Sequence, residues 1–314
     1  MMLQALAGPQ PLQPRTPDVH HRFVVGLLGS GIAGSLTPGL HEAEADRLGV
    51  AYTYRIIDLD ALGGQPGRSA ELVRSAAELG YDGLNVTHPS KQLVQDGLDE
   101  LSPDARILGA VNTITFHGGR AVGHNTDHTG FIGGFRAGLH SAPINSVVQV
   151  GAGGAGAAVA YALLNAGAGH LVIADIEADR AESLAARLAP HFPNSEVVAA
   201  RTDAIAGTIR TADGLVNTTP IGMTGHPGTP VDPHLLHPGL WVADVIYRPL
   251  ETALVTAARE KGCAVLDGGR MVVGQAAAAF ELFTGIPADP DHMLAAFHRA
   301  VSASHSDQKD GSRR

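Results

Sequence analysis

The chain has 314 residues, enough for about two domains whose cores need no disulfide or metal support. Its formal net charge of −9 argues against a nucleic-acid partner, and no apolar run reaches the roughly 20 residues of a membrane helix. The single cysteine, Cys263, excludes an internal disulfide and is compatible with a reducing compartment. Taken together, these observations lead us to expect a cytoplasmic protein that binds neither nucleic acid nor membrane.

The first part of the chain alternates predicted strands and helices. Apolar or alternating runs predict strands over residues 23–28, 51–58 and 83–87. Helical spacing predicts helices over 41–48 and 69–79 between them. This order indicates parallel strands joined by right-handed crossovers, as in an α/β fold.

A hairpin and a second alternating unit follow. The hairpin strands are predicted over 109–116 and 120–124, with Gly118-Gly119 at the turn, and a helix over 131–139 leads onward. The strands predicted for the second unit cover 146–150, 171–174, 215–217, 241–244 and 264–267. The helices predicted here and at the end of the chain cover 155–165, 274–283 and 291–300.

A glycine cluster follows the first strand of the second unit and opens its helix. Its residues match the G-x-G-x-x-G pattern of dinucleotide sites: Gly151, Ala152, Gly153, Gly154, Ala155 and Gly156. Gly151 suits a tight turn, Gly153 a close approach of the backbone to a pyrophosphate, and Gly156 close packing of helix on sheet. An ordinary flexible turn is the alternative for glycines alone.

An acidic residue ends the next predicted strand, at the spacing that dinucleotide sites require. Asp175 follows Gly156 by about 20 residues, where a carboxylate accepts hydrogen bonds from the adenosine ribose. A 2′-phosphate there would meet like-charge repulsion, and the first basic residue, Arg180, comes only five positions later. We therefore predict NAD rather than NADP as the cofactor.

Polar motifs along the whole chain resemble the shikimate dehydrogenase family. The matching segments are Ser35-Leu36-Thr37-Pro38, Asn85 to Lys91, Val111-Asn112-Thr113, Gly123 to Asp127, Asn217 to Met223, Asp244 to Tyr247, and Gly274-Gln275-Ala276. The resemblance covers about residues 23 to 300 in unbroken family order and is strongest to the NAD-using quinate/shikimate dehydrogenase branch.

The resemblance implies reversible oxidation of quinate or shikimate to the corresponding ring ketone. It assigns the handling of the proton to Lys91 and Asp127, and which of the two accepts the proton stays open. Taken singly, Lys91 is typical of a solvated surface charge, and Asp127 of an N-cap for the segment from Gly130.

The same resemblance implies the groups that bind the substrate. Ser35, Thr37 and Tyr247 would donate to its carboxylate, although local turn chemistry is the alternative for the first two. The residues assigned to the ring hydroxyls are Asn85, Thr87, Asn112, Asp127 and Gln275. Thr37 departs from the serine expected of strict shikimate enzymes, which favours the branch that accepts quinate.

Residues near the nicotinamide are also carried over. With the glycine loop, Asp175 and Arg180, the residues assigned to the cofactor are Thr218, Thr219, Pro220, Met223, Val245 and Gly268. We expect no metal site, because His124 and His128 span a strand end and a loop rather than one helix face.

The resemblance implies a two-domain α/β enzyme. We expect a substrate-binding domain over 20–130, completed by C-terminal helices in 268–302, and a Rossmann-like NAD-binding domain over 131–267. Flexible tails are predicted over 1–19 and 303–314. The alternatives are an aminoshikimate or strict shikimate dehydrogenase of the same fold, or a non-catalytic quinate or NAD sensor. A monomer and a homodimer both remain open.

Overall fold

Two six-stranded sheets form the framework of the protein. The computed structural model describes residues 20–311, so the tail predicted over 1–19 lies outside the described residues. The strands of the first sheet are β1 (Phe23–Gly29), β2 (Tyr52–Asp58), β3 (Gly83–Val86), β4 (Glu100–Leu101), β5 (Thr113–His117) and β6 (Arg120–His124). Their spatial order is β2-β1-β3-β5-β6-β4.

The first sheet is mixed. β1 pairs in parallel with both β2 and β3, as the alternating order of strands and helices predicts. β5 and β6 form the predicted antiparallel hairpin. Gly118 and Gly119 have φ values of 59° and 74° at its turn, a left-handed conformation that side-chain-bearing residues rarely adopt.

The second sheet is wholly parallel. Its strands are β7 (Ser146–Val150), β8 (His170–Asp175), β9 (Glu196–Arg201), β10 (Gly214–Asn217), β11 (Trp241–Asp244) and β12 (Ala264–Leu266). They lie in the order β12-β11-β10-β7-β8-β9. The chain order reverses direction beside β7, the place where open α/β sheets bind ligands. The predicted α/β fold with two domains is confirmed, and the exact domain bounds stay a prediction.

Helices cover both sheets. They are α1 (Thr37–Leu48), α2 (Ser69–Glu78), α3 (Ser90–Leu93), α4 (Pro103–Leu108), α5 (Asp127–Gly138), α6 (Gly154–Asn165), α7 (Ala178–Leu188), α8 (Ala206–Ile209), α9 (Ala253–Glu260), α10 (Gly268–Thr284) and α11 (Pro290–Gly311). Among residues 20–311, none of the helices is both long and apolar enough to cross a membrane.

The C-terminal helices pack against the first sheet. Phe283 of α10 lies in one buried cluster with Val25 and Leu27 of β1. Leu40 of α1 packs with Phe297 of α11 in another. The chain therefore returns to the first sheet after completing the second.

Several predicted element bounds are wrong. Helices α1, α5 and α10 begin four to six residues earlier than predicted, because their first turns contain glycine and polar residues that lack an apolar period. Two further elements, α7 and β9, are absent from the predicted set, and β9 is a half-exposed strand at the edge of the second sheet. α11 continues to Gly311 through the predicted tail, where no proline or glycine interrupts residues 303–310.

Candidate active site

Lys91 and Asp127 form an ion pair that connects α3 to the start of α5. Lys91 lies in α3, just after β3, and its Nζ donates to Asp127 Oδ2 at 2.5 Å. Asp127 is the first residue of α5, and its Oδ1 accepts a hydrogen bond of 2.8 Å from the Asn112 amide. Both alternatives are therefore wrong: Lys91 is paired, and the Asp127 side chain does not cap its own helix.

A buried hydrogen-bond network orients this pair. The Asn112 Oδ1 accepts from the Thr126 backbone N–H at 2.7 Å and from the Thr113 hydroxyl at 3.0 Å. Because Oδ1 faces these donors, the Asn112 NH₂ group must face Asp127. Asn85 Nδ2 donates to the Thr113 hydroxyl at 3.2 Å. The network thus joins both predicted asparagines to the carboxylate.

Tyr54 closes the far end of the network. Its hydroxyl donates to Asn85 Oδ1 at 2.7 Å. Burial raises the pKa of the Tyr54 phenol well above 10, so this group remains a neutral donor. Sequence reasoning missed Tyr54, Thr113 and Thr126; the only local signal is that each threonine follows an asparagine.

One cavity of about 330 Å³ collects the predicted substrate residues. All nine line it: Ser35, Thr37, Asn85, Thr87, Lys91, Asn112, Asp127, Tyr247 and Gln275. Ala155 and Val245 from the predicted cofactor set also line it. The cavity therefore lies where the two sheets meet, and none of these residues lines the larger cavity of about 670 Å³ beside β5 and β6.

Two of the polar residues in this cavity also make local hydrogen bonds. The Ser35 hydroxyl accepts from the Thr37 backbone N–H at 3.3 Å, which is the turn chemistry considered as an alternative. Gln275 Nε2 donates to Val272 O at 3.1 Å within α10. Because both residues also line the cavity, local bonding does not remove them from the site.

The glycine loop has the geometry predicted for a dinucleotide site. Gly151 has a φ of 107° and accepts a 2.9 Å hydrogen bond from the Thr218 hydroxyl. A Cβ on Gly156 would lie 2.3 Å from Gly151 O, so the helix and the loop approach at a distance that no side chain permits.

The same loop leaves room for a ligand at the N-terminus of α6. Cβ atoms on Gly153 and Gly154 would meet nothing within 4 Å. Gly153 is the N-cap, and as a glycine it has no side chain to accept from the first N–H groups of the helix. These unshielded donors fit the pyrophosphate of a dinucleotide.

The carboxylate of Asp175 lies against this loop. Its Oδ2 accepts from the Ala152 N–H at 2.8 Å and its Oδ1 from the Glu177 N–H at 2.9 Å. Arg180 lies on the exposed surface of α7, where its guanidinium pairs with Glu177 at 2.9 Å. The structure thus brings Asp175 to the glycine loop and places Arg180 in a separate ion pair.

A second hydrogen-bonded group holds the loop after β10. The Thr219 hydroxyl donates to Asn217 Oδ1 at 2.7 Å, and Asn217 Nδ2 donates to Asp244 Oδ1 at 3.1 Å. Burial raises the pKa of Asp244 to about 6, although hydrogen bonds from Thr252, Ile246 and Asn217 oppose the shift. Pro220 and Met223 lie farther along this loop, and Met223 is exposed.

Comparisons with known proteins agree with this geometry. Residues 27–114 match the shikimate dehydrogenase substrate binding domain, and residues 269–296 match the shikimate 5′-dehydrogenase C-terminal domain. A shikimate dehydrogenase (NADP(+)) of Streptomyces avermitilis is 56% identical over 87% of this chain and 94% of its own. The chain belongs to the shikimate dehydrogenase family.

Other members of the shikimate dehydrogenase family differ in their named cofactor. A quinate/shikimate dehydrogenase (NAD(+)) of Corynebacterium efficiens is 45% identical over 88% of this chain and 98% of its own. The quinate dehydrogenase structure from Corynebacterium glutamicum in complex with NAD superposes with a TM-score of 0.85 at 45% identity, covering 88% and 99% of the two chains. Membership establishes an oxidoreductase that uses a nicotinamide cofactor.

Three further residues singled out in the sequence are Gly268, His88 and His128. Gly268 begins α10, where a Cβ would lie 2.5 Å from the carbonyl of Val245. His88, three residues before Lys91, is exposed and does not line the substrate cavity. His128 pairs with Asp104 at 3.0 Å beside the larger cavity.

One charged residue of the substrate cavity was missed. Arg248 lines the cavity from the loop after β11. Its only sequence signal is that it directly follows Tyr247, which the family resemblance already assigned to the substrate carboxylate.

Proposed function

We propose that this protein is a shikimate dehydrogenase that reversibly oxidises shikimate to 3-dehydroshikimate with NAD. The observation that carries the proposal is one cavity, in which the Lys91–Asp127 pair and the seven other predicted substrate residues all line the wall. The relatives that are 54% to 56% identical bear the name shikimate dehydrogenase (NADP(+)), which favours shikimate over quinate as the main substrate. Relatives of the quinate/shikimate dehydrogenase (NAD(+)) branch, which the sequence motifs favoured, are less similar at 45% to 46% identity.

The residues of the cavity suit an alcohol oxidation. A nicotinamide cofactor held at the glycine loop would supply the hydride acceptor for the carbinol carbon. Lys91 donates a hydrogen bond to the reacting oxygen and stabilises its developing negative charge, while Asp127 and Asn112 hold the lysine in position. Because Lys91 in the ion pair is already protonated, the hydroxyl proton ends on the Asp127 carboxylate, either directly or relayed through the Lys91 ammonium, as the C=O bond forms. One hydride and one proton thus leave the alcohol.

Support for NAD comes from the end of β8. The adenosine ribose would lie beside the Asp175 carboxylate, where a 2′-phosphate would add a second negative charge. Glu177 is also acidic, and Arg180 already pairs with it. Relatives with both cofactors in their names exist, so this proposal depends on Asp175 and its surroundings.

Quinate is the second candidate substrate. Thr37 lines the cavity where the family pattern of strict shikimate enzymes has a serine, and its methyl group changes the contact beside the ring. Quinate oxidation would then accompany shikimate oxidation in the same cavity.

Steady-state kinetics of the full chain with shikimate and quinate, each with NAD and NADP, test these proposals. We expect the highest kcat/KM for shikimate with NAD. Binding of shikimate or quinate without reduction of either cofactor would support the non-catalytic sensor instead. Turnover of aminoshikimate above shikimate would indicate the other enzyme alternative.

A further inference from the structure

The charges that line the substrate cavity do not balance. Its charged side chains, among the residues that the structure describes, are Lys91, Asp127 and Arg248. Lys91 and Asp127 neutralise each other in their ion pair. Arg248 therefore leaves the cavity with one net positive charge, in a protein whose net charge is −9.

Among the residues that the structure describes, Arg248 forms no ion pair. Within residues 20–311, the carboxylates in ion pairs are all matched to other cations. The side chain is exposed on the cavity wall, so its donors are free for a ligand. An arginine presents up to five N–H donors in a planar fork that matches a carboxylate.

The position of Arg248 places its guanidinium beside the loop that carries Ser35. A Cβ on Gly34 would lie 3.7 Å from Arg248 Nη1. The backbone carbonyl of Arg248 accepts from the Thr224 N–H at 3.2 Å, which ties this residue to the loop after β10. The guanidinium of Arg248, which follows β11 of the second sheet, thus lies against the loop that follows β1 of the first sheet.

The geometry points to Arg248 as the residue that binds the substrate's carboxylate by charge, together with the Ser35 hydroxyl. This inference rests on the proposed function, because shikimate carries one carboxylate. The net positive charge that Arg248 contributes matches that single negative charge, whereas Lys91 and Asp127 are already paired with each other. Arg248 is then a determinant of specificity for acids over neutral ring alcohols.

The test compares shikimate with its uncharged methyl ester in wild type and Arg248→Gln. For each compound we would measure KM, or the inhibition constant if the compound is not oxidised. We expect Arg248→Gln to raise the constant for shikimate about 10- to 100-fold and to leave that for the ester and for NAD within about twofold. Arg248→Lys should recover part of the affinity for shikimate, because it restores the charge without the planar fork.

Arg210→Gln is the matched control. Arg210 is exposed, lies outside the cavity, and its replacement makes the same change in net charge. We expect wild-type constants in this control. An unchanged constant for shikimate in Arg248→Gln, or equal losses for the acid and the ester, would overturn the inference. Failure of wild type to oxidise shikimate with either cofactor instead refutes the proposed function, and the inference with it.

Discussion

Gly130 of α5 and Gly274 of α10 meet where the two helices cross. A Cβ on Gly274 would lie 2.9 Å from Gly130 Cα, and one on Gly130 would lie 2.5 Å from the backbone N of Gln275. The two helices therefore approach at backbone distance. This contact brings Asp127 at the start of α5 and Gln275 of α10 to the same cavity.

Gly130→Ala should separate these helices. Because the new methyl group would collide with backbone atoms that no rotamer change can move, we expect the free energy of unfolding to fall by about 1–3 kcal/mol. kcat/KM for shikimate should fall as well, since Asp127 and Gln275 move apart. Urea denaturation and steady-state kinetics measure the two effects.

Gly133→Ala provides the control in the same helix. A Cβ on exposed Gly133 meets nothing within 4 Å, so this variant should be as stable as wild type or more stable by up to about 1 kcal/mol. Equal stability of the two variants would contradict the close helix contact.

Lys91→Ala should remove the hydrogen bond to the reacting oxygen. We expect kcat to fall about 100- to 1000-fold, with a smaller change in the dissociation constant of shikimate measured by calorimetry. Lys261→Ala, at an exposed position outside the cavity, should retain wild-type turnover. A kcat near the wild-type value in Lys91→Ala would refute the mechanism.

Asp175→Asn should weaken the preference for NAD. The amide removes the negative charge that repels a 2′-phosphate, and it keeps one oxygen acceptor for the loop. We expect the ratio of kcat/KM for NAD to that for NADP to fall about tenfold, which corresponds to about 1.4 kcal/mol. As a control, Asp179→Asn, on the exposed face of α7, should leave the ratio unchanged. A wild-type enzyme that already prefers NADP would contradict this prediction.

Asp244 should make the stability depend on pH. Its folded-state pKa of about 6 exceeds the ordinary value of 3.8, so the folded protein retains a proton that the unfolded chain releases. This contribution to stability is complete below pH 3.8 and is lost as the pH rises through about 6, and it amounts to at most about 3 kcal/mol.

Asp244→Asn isolates that contribution. The amide cannot titrate, so the free energy of unfolding of wild type should fall relative to that of the variant between pH 4 and about 6. Urea denaturation of both proteins across this range measures the difference. Two parallel curves would mean that the pKa of Asp244 is not raised.

The parts of the fold predicted best are those with strong local signals. The strand, glycine loop and helix over 146–165 follow from a buried apolar run and from the backbone freedom of Gly151, and both signals are local. Edge strand β9 was missed because a half-exposed strand carries a weaker hydrophobic pattern. Helix α7 was missed although its buried residues Ala181, Leu184 and Leu188 recur at helical spacing. The early start of α5 was missed because Asp127 and Gly130 are typical of a loop.

The candidate site shows the same division. The resemblance supplied nine of the residues that line the cavity, yet Ser35, Thr37, Lys91 and Asp127 each had a local alternative that sequence alone could not remove. The buried contacts of Thr113 and Tyr54, and the position of Arg248, had no pattern of their own, because they depend on residues far apart in the chain.

The sequence by itself determined which functional groups exist and where the chain turns, because glycine conformation and apolar period act over a few residues. Only the tertiary structure decided which groups meet. Lys91 and Asp127 are 36 residues apart, and their contact requires the first sheet to form and α5 to pack on α10. Packing converts an isolated lysine and an expected helix cap into an ion pair beside a cavity with one unmatched arginine.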